Sequence, residues 1–457
     1  MRASTHVLDW ANQPLPFKIY SSVQGVQLPR AEAAASRLDA GLLARLCLYA
    51  NGVTKTLRFP GGEMPFRAAA CTGALYHIEL YLVGGPLPDL EAGVYHYAAH
   101  NHSLGRLRPG DFRAALVEAS GGEPSVARAS VVMVLTSTWW RNAWKYQARA
   151  YRHTFWDSGT ILANLLGVAA AHDVPARVVL GFADAAVNRL LDVDPEREAA
   201  ICLVALGEAA APPPVPAAIE PLGLPTRRLS ASEVDYAEIR ALHSASSLAS
   251  GEEAAAWRPG PASEVAPLPL PGERPIEDVI RRRGSSRRFL HDTIGHQQLT
   301  RMLEFATQPI DSDVAALGAL SQPYVIANAV EGLESGSYVL ENDQLQAVRS
   351  GSFREVAGFL DLGQALAADA AVNVYWLADL HVVLAHLGNR GYRAAQLEAA
   401  IQAGRLYLAA YALGLGATGL TFFDDEVIRF FSPHAERKSV MFLMAVGQAA
   451  RRRLPGG

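Results

Sequence analysis

Apolar positions along the chain fall into two patterns, and both patterns occur twice. Short apolar runs bounded by turn residues, IELYLV (78–83), CLVALG (202–207), PYVIANAV (323–330) and VMFLMAVG (440–447), read as strands. Two long Ala- and Leu-rich stretches, roughly 154–172 and 394–414, keep helical period and read as buried helices that meet at the centre of the molecule. Short strands interleaved with much longer helices predict an α+β domain in each half, with one sheet packed by helices.

The two halves match word for word at a spacing near 241 residues. GVYHY (93–97) and LRPGDFR (107–113) parallel GSYVL (336–340) and VRSGSFR (348–354). RAYRHTFWDSGTILANLLGVAAAHDV (149–174) parallels RGYRAAQLEAAIQAGRLYLAAYALGL (390–415), each opening on Arg-x-Tyr-Arg. Two copies are too few for a solenoid, so the repeat predicts a fused pseudo-dimer with an internal twofold axis.

Between the copies the chain changes character. Residues 208–275 carry nearly all of a stretch holding 12 of the 27 prolines, which no long helix or central strand tolerates. The expected boundaries are therefore a first domain over 1–207, a Pro-rich linker over 208–275 and a second domain over 276–457. Within the linker, SEVDYAEIRALHSASSLA reads as one amphipathic helix, expected to strap the domain junction.

Composition narrows the class. The 457 residues suit two cores of about 200 residues each. A formal net charge of -4 offers no electrostatic reason to expect nucleic acid. Cys47, Cys71 and Cys202 are far apart and form no CxxC, so neither a disulfide framework nor a metal site is expected, and a reducing cytoplasm fits. No signal-like or membrane-length apolar run is present, so no membrane partner is expected.

What differs between the copies carries the chemistry. The second opens with VIRRRGSSRRFL (279–290) and closes with AARRRLPGG (449–457), basic residues and hydroxyls that can converge on a phosphate. The first carries FRAAACTGALYHIELYLV (66–83), whose small residues allow close backbone approach to a flat ligand. It also carries Lys145–Tyr146, where the second copy has His386 and Leu387.

Together these residues resemble the nitroreductase-like flavoenzymes, which bind FMN at a dimer interface. The resemblance implies two fused nitroreductase-like domains and one composite FMN site. Arg283, Ser285 and Arg287 of RGSSR then match the motif for the FMN phosphate and ribityl chain, joined by Arg451 and Arg453 of RRRLP. Gly419, Leu420 and Thr421 match positions beside the isoalloxazine, and Ala70–Leu75, with Cys71, Thr72 and Gly73, matches the loop that the partner subunit contributes. The mirror-image site lacks these motifs and is expected to be empty.

Within that superfamily the closer likeness is to the SagB-type dehydrogenases, which oxidise thiazolines or oxazolines to thiazoles or oxazoles in ribosomally made peptides. DWANQPLPFKIY, GALYHIELYLV and Lys145–Tyr146 ahead of RAYR carry it. It implies a peptide or carrier-bound substrate, a cyclodehydratase partner, and Lys145 and Tyr146 as catalytic residues. Aromatising the ring removes a hydride and a proton; a lysine with its pKa lowered by burial or nearby arginine serves as base, and the tyrosine relays the proton or holds substrate. Departures are Ala70, Cys71 and His77 in the loop region and Gly284 in the arginine motif. Two other readings stay open: an NAD(P)H-dependent FMN reductase of nitro compounds or quinones, and a non-catalytic scaffold in a peptide-modifying complex. A self-complete pseudo-dimer is compatible with a monomer or a homodimer.

Overall fold

The computed structural model describes residues 6–29, 38–60, 62–215, 218–260 and 269–450. Among the described residues nine strands lie in the first half: β1 (Gly25–Gln27), β2 (Val53–Phe59), β3 (Gly62–Arg67), β4 (Ile78–Gly84), β5 (Gly93–Ala98), β6 (Ser103–Pro109), β7 (Val131–Thr138), β8 (Ala176–Val179) and β9 (Glu198–Leu206). Six lie in the second: β10 (Gln322–Ala327), β11 (Gly336–Glu341), β12 (Gln344–Ser350), β13 (Val372–Ala378), β14 (Gly416–Gly419) and β15 (Ser439–Gly447). β2 and β3 form a separate hairpin.

Each half builds one antiparallel sheet in the same order. The first runs β1-β6-β5-β4-β7-β9-β8 and the second β12-β11-β10-β13-β15-β14, so they coincide apart from the added edge strand β1. Every residue of β4, β7, β9 and β13 is buried, because the sheet is covered on both faces. Their near-continuous apolar runs follow from that double cover, since alternation arises only where one face meets water.

The axis of the molecule is a pair of 22-residue helices, Ala150–Ala171 and Gly391–Ala412. Both begin about a turn earlier than hydropathy indicates, since the polar residues of their first turns, Arg152 and His153 in one and Arg393 in the other, are carried into the domain junction rather than out to solvent. Contacts climb both helices together: Phe155 meets Tyr392 and Trp156 donates to Gln396 Oε1 at 2.9 Å. Gly159 then faces Ala400, and Ala163 faces Gly404. The helices therefore run parallel, and the last two pairs sit at the 241-residue offset, as a twofold axis along the pair requires. A Cβ on Gly159 would stand 2.3 Å from the Ala400 Cβ, and one on Gly404 2.6 Å from that of Ala163, so glycine sets the closeness of the crossing. A single apolar core runs from the first half into the second through these helices.

The linker is less extended than its prolines suggest. It carries a helix at Ala237–Ala245, inside the segment expected to be helical, and another at Gly251–Trp257, capped by Ser250 accepting from the Glu253 N–H at 3.1 Å. Among the described residues no helix is long and apolar enough to cross a membrane.

Gly159→Val tests the crossing: the added side chain has nowhere to go, so unfolding free energy should fall by about 1–3 kcal/mol. Denaturant unfolding of the variant beside the parent measures it.

Candidate active site

The helix Trp139–Tyr146 presents Lys145 and Tyr146 at its C-terminal end. Trp139, Trp140, Ala143 and Trp144 bury one side of it, and Arg141, fully buried, ties it to the sheet by donating to Tyr76 O (2.7 Å) and Glu79 Oε1 (2.6 Å). Burial alone would raise the Glu79 carboxyl, but Arg141 and His96 hold it well below the usual range, so this anchor is charged. At Gln147 the backbone turns to φ +52° and the helix ends.

Tyr146 reaches the small-residue loop expected beside the cofactor. Gly73 adopts φ +64°, and a Cβ there would lie 2.9 Å from the Tyr146 hydroxyl oxygen, so both the turn and the approach of the tyrosine require glycine. The Tyr146 ring packs edge-on against His153 at 4.5 Å, and Lys145 Nζ lies 5.3 Å from the centre of the same ring. Burial, then the nearby Asp157 and Cys71, push the Tyr146 phenol well up, which keeps it a neutral hydrogen-bond donor.

The loop is held by Asp157, a residue the sequence did not single out. Its carboxylate accepts from the Thr72 N–H (2.9 Å), the Thr72 hydroxyl (2.5 Å) and the Cys71 thiol (3.0 Å), and His77 Nε2 lies 2.9 Å away. His77 Nδ1 meets Ser137 Oγ at 2.9 Å, so this histidine is a fully buried strut of the loop. Cys71 Sγ also accepts from the Tyr76 N–H at 3.0 Å, and burial, then Asp157, push its thiol far up. The signal available in the sequence was the repeat itself, since Asp157 aligns with Glu398 at the 241 offset.

The second half supplies the opposite wall. Arg283 crosses the junction and donates to Ala68 O through Nε (3.2 Å) and Nη2 (2.8 Å), with its guanidinium 5.1 Å from the Tyr407 ring centre. Tyr407 donates to Ser285 Oγ at 2.9 Å. The segment after it is strand-like: Ser286 N–H donates to Ala417 O, Leu290 N–H to Gln448 O and Ala450 N–H to Arg288 O. Arg287 is exposed and Ser286 Oγ is buried without a partner. Arg451 and Arg453 lie outside the described residues. Gly419, Leu420 and Thr421 leave β14 beside Phe442, which packs on Trp156 at 5.1 Å, next to Asp157. The structure thus brings Arg283, Ser285, Cys71, Thr72, Gly73 and Tyr146 to one junction, with Gly419–Thr421 separated from it by the Phe442 and Trp156 rings. Ser285 and Arg287, alternate and exposed residues of this extended segment, share a face and suit an anion, whereas Ser286 Oγ is buried against Gly416.

At the mirror-image position the same frame is shut. Glu398 still braces its loop, accepting from the N–H groups of Leu320 (2.9 Å) and Ser321 (3.0 Å). Asp313 now takes the N–H groups of Leu180 (2.9 Å) and Gly181 (2.7 Å), the counterparts of Leu420 and Thr421. Val178 N–H donates to Asp311 O and Asp313 N–H to Val178 O, stitching the loop onto the strand end. A cavity of about 700 Å³ in the second half, lined by Gln322, Glu341, Asp379, His386 and Lys438 among others, includes none of the expected site residues.

Asp157→Ala strips the loop of its shared acceptor and leaves the Thr72 amide and His77 Nε2 unpaired. A loss of about 3 kcal/mol in unfolding free energy is expected, read from denaturant curves.

Comparison with known proteins agrees with the duplicated architecture. The model of the nitroreductase family matches residues 37–208 and again 280–448. The solved structure of a nitroreductase-like protein from Anabaena variabilis superposes with a TM-score of 0.80 at 27% identity, covering 97% of this chain and 96% of that one. Among curated proteins, a nitroreductase-like protein of Methanocaldococcus jannaschii is 24% identical over 162 residues, 35% of this chain and 78% of that protein. The trifolitoxin-processing protein TfxB of Rhizobium leguminosarum bv. trifolii is 28% identical over 172 residues, 36% of this chain and 46% of that protein. The two matched regions are the two halves of the repeat, and the chain belongs to the nitroreductase family, with two domains of that family in one polypeptide.

Proposed function

We propose that the protein is an FMN-dependent dehydrogenase that oxidises azoline rings in a peptide to azoles. The observation that carries this reading is the seating of Tyr146, with Lys145 beside it, against Gly73 of a loop that faces the other domain's Arg283–Ser285 motif. The match to a protein named for processing trifolitoxin supports a peptide substrate.

Arg283, Ser285 and Arg287 would hold the FMN phosphate and ribityl chain, a role also proposed for Arg451 and Arg453, which lie outside the described residues. Cys71, Thr72 and Gly73 would line the ring system from the first domain, and Gly419, Leu420 and Thr421 from the second. Bound FMN supplies a hydride acceptor, with dioxygen as the final oxidant. Lys145 takes the ring proton, and Tyr146, kept protonated, donates a hydrogen bond that orients the substrate. Asp157 positions both sides, since it fixes the loop against which Tyr146 rests. The mirror position, stitched shut by Asp313, takes no cofactor.

The purified protein should be yellow and release about one FMN per chain on heating; a count near two, or none, overturns the one-site reading. Arg283→Ala should lower occupancy, since a charge-assisted contact is worth roughly 1.5–3 kcal/mol. Lys145→Ala should keep FMN and lose at least about 100-fold in kcat on an azoline peptide, the usual scale of general-base catalysis. Rapid bleaching of the flavin by NADPH with no azoline turnover would instead favour a nitro- or quinone-reductase.

A further inference from the structure

The Arg-x-Tyr-Arg repeat has two fates. In the second domain Arg390 and Arg393 straddle the carboxylate of Asp184, at 2.6 Å and 2.7 Å, and every guanidinium nitrogen has a partner. The linker supplies most of the remaining acceptors. Arg390 donates to Ser246 O (2.9 Å), and Arg393 to Ser246 Oγ (2.8 Å), His243 O (2.6 Å) and Ser247 Oγ (3.2 Å). Leu248 closes the turn, its N–H donating to Asp184 Oδ2 at 2.9 Å, and Trp257 covers Arg390. The occupant of this arginine pair is therefore a peptide turn presenting carbonyl and hydroxyl oxygens.

Arg149 and Arg152 are the counterparts at the 241 offset, and Asp424, first residue of its helix as Asp184 is of its own, is their shared carboxylate. Among the described residues no segment plays the linker's part here. Arg149 reaches Asp424 only at 3.5 Å, and its Nε and Nη2, with Nε of Arg152, are buried without partners. Asp424 is 37% exposed, against 4% for Asp184. Asp424 and Val440, the two residues that Arg152 holds, line a cavity of about 370 Å³, behind which the two arginines sit without lining it themselves. Both guanidiniums lie over the Trp156 and Phe422 rings, at 5.0–6.0 Å, which fixes their planes. Burial, then the neighbouring Arg152 charge, weigh against the Arg149 cation, so an incoming acceptor relieves an existing strain. Arg149 stands one helical turn before His153, which touches Tyr146.

We infer that Arg149 and Arg152, with Asp424 between them, form an open receptor for the peptide chain next to the reacting ring, recognised by its carbonyl and hydroxyl oxygens as the linker turn is at the mirror position. The assignment to substrate rests on the peptide-oxidation reading; the receptor itself does not.

Two measurements on the full-length FMN-loaded protein separate these. First, an acetylated and amidated His-Ser-Ala-Ser-Ser peptide is titrated into protein labelled with ¹⁵N-arginine, with Arg149→Lys and Arg152→Lys assigning the Nε–Hε resonances. Millimolar binding that shifts these two resonances is expected. No shift, or a shift produced by sodium sulfate and not by the neutral peptide, overturns the receptor. Second, Arg149→Gln/Arg152→Gln is compared with the parent on an azoline peptide. KM should rise at least tenfold with kcat changed far less and FMN content retained. An unchanged KM overturns the assignment to substrate, whereas failure of the parent to oxidise any azoline peptide, with the resonances still shifting, removes the functional reading and leaves the receptor standing.

Discussion

The parallel crossing of the two central helices at Gly159–Ala400 and Ala163–Gly404 governs the rest of the molecule. Backbones approach this closely only where side chains are a hydrogen or a methyl, and the closeness carries each helix's first two turns into the other domain. Trp156 thereby reaches Gln396 and the carbonyl of Met441 at 2.7 Å, and Arg149 and Arg152 reach Asp424. Asp157, on the same turn as Trp156, can then grip a loop of its own domain while that loop faces the second domain's arginine motif.

Because both halves sit in one chain, symmetry no longer forces the two junctions to match, and they have diverged by small changes on one frame. Asp157 and Glu398 brace equivalent loops. At the mirror junction Asp313 accepts from the strand-end amides and the loop bonds backbone to backbone, bonds not found among the described residues at the other junction. The arginine pairs diverge in the same sense, one saturated by Asp184 and the linker turn, the other left with free donors.

The repeat, the strands, the long helices and the division of motifs between halves were legible from residue order, because period, turn residues and short motifs are properties of neighbouring positions. So was the run of small residues around Gly73, although the approach of Tyr146 that requires glycine there was not. The network that makes the site was hidden for the opposite reason: Thr72 and Asp157 are 85 residues apart, and Arg283 and Ala68 are 215. The linker showed its prolines but not its second helix, because one serine cap and a docking surface outweigh a breaker-rich composition there.

By itself, then, the sequence determined that two like domains are joined, that each is a sheet packed by helices, and that the basic motif and the small-residue loop lie in different copies. Only the tertiary structure decided how the mirror junction is closed, that Asp157 and His77 hold the loop, and that one Arg-x-Tyr-Arg pair is saturated while the other is not. Local patterns are written in the free energy of short segments, whereas whether a buried amide or guanidinium finds its acceptor depends on which distant segment the packed helices bring within 3 Å.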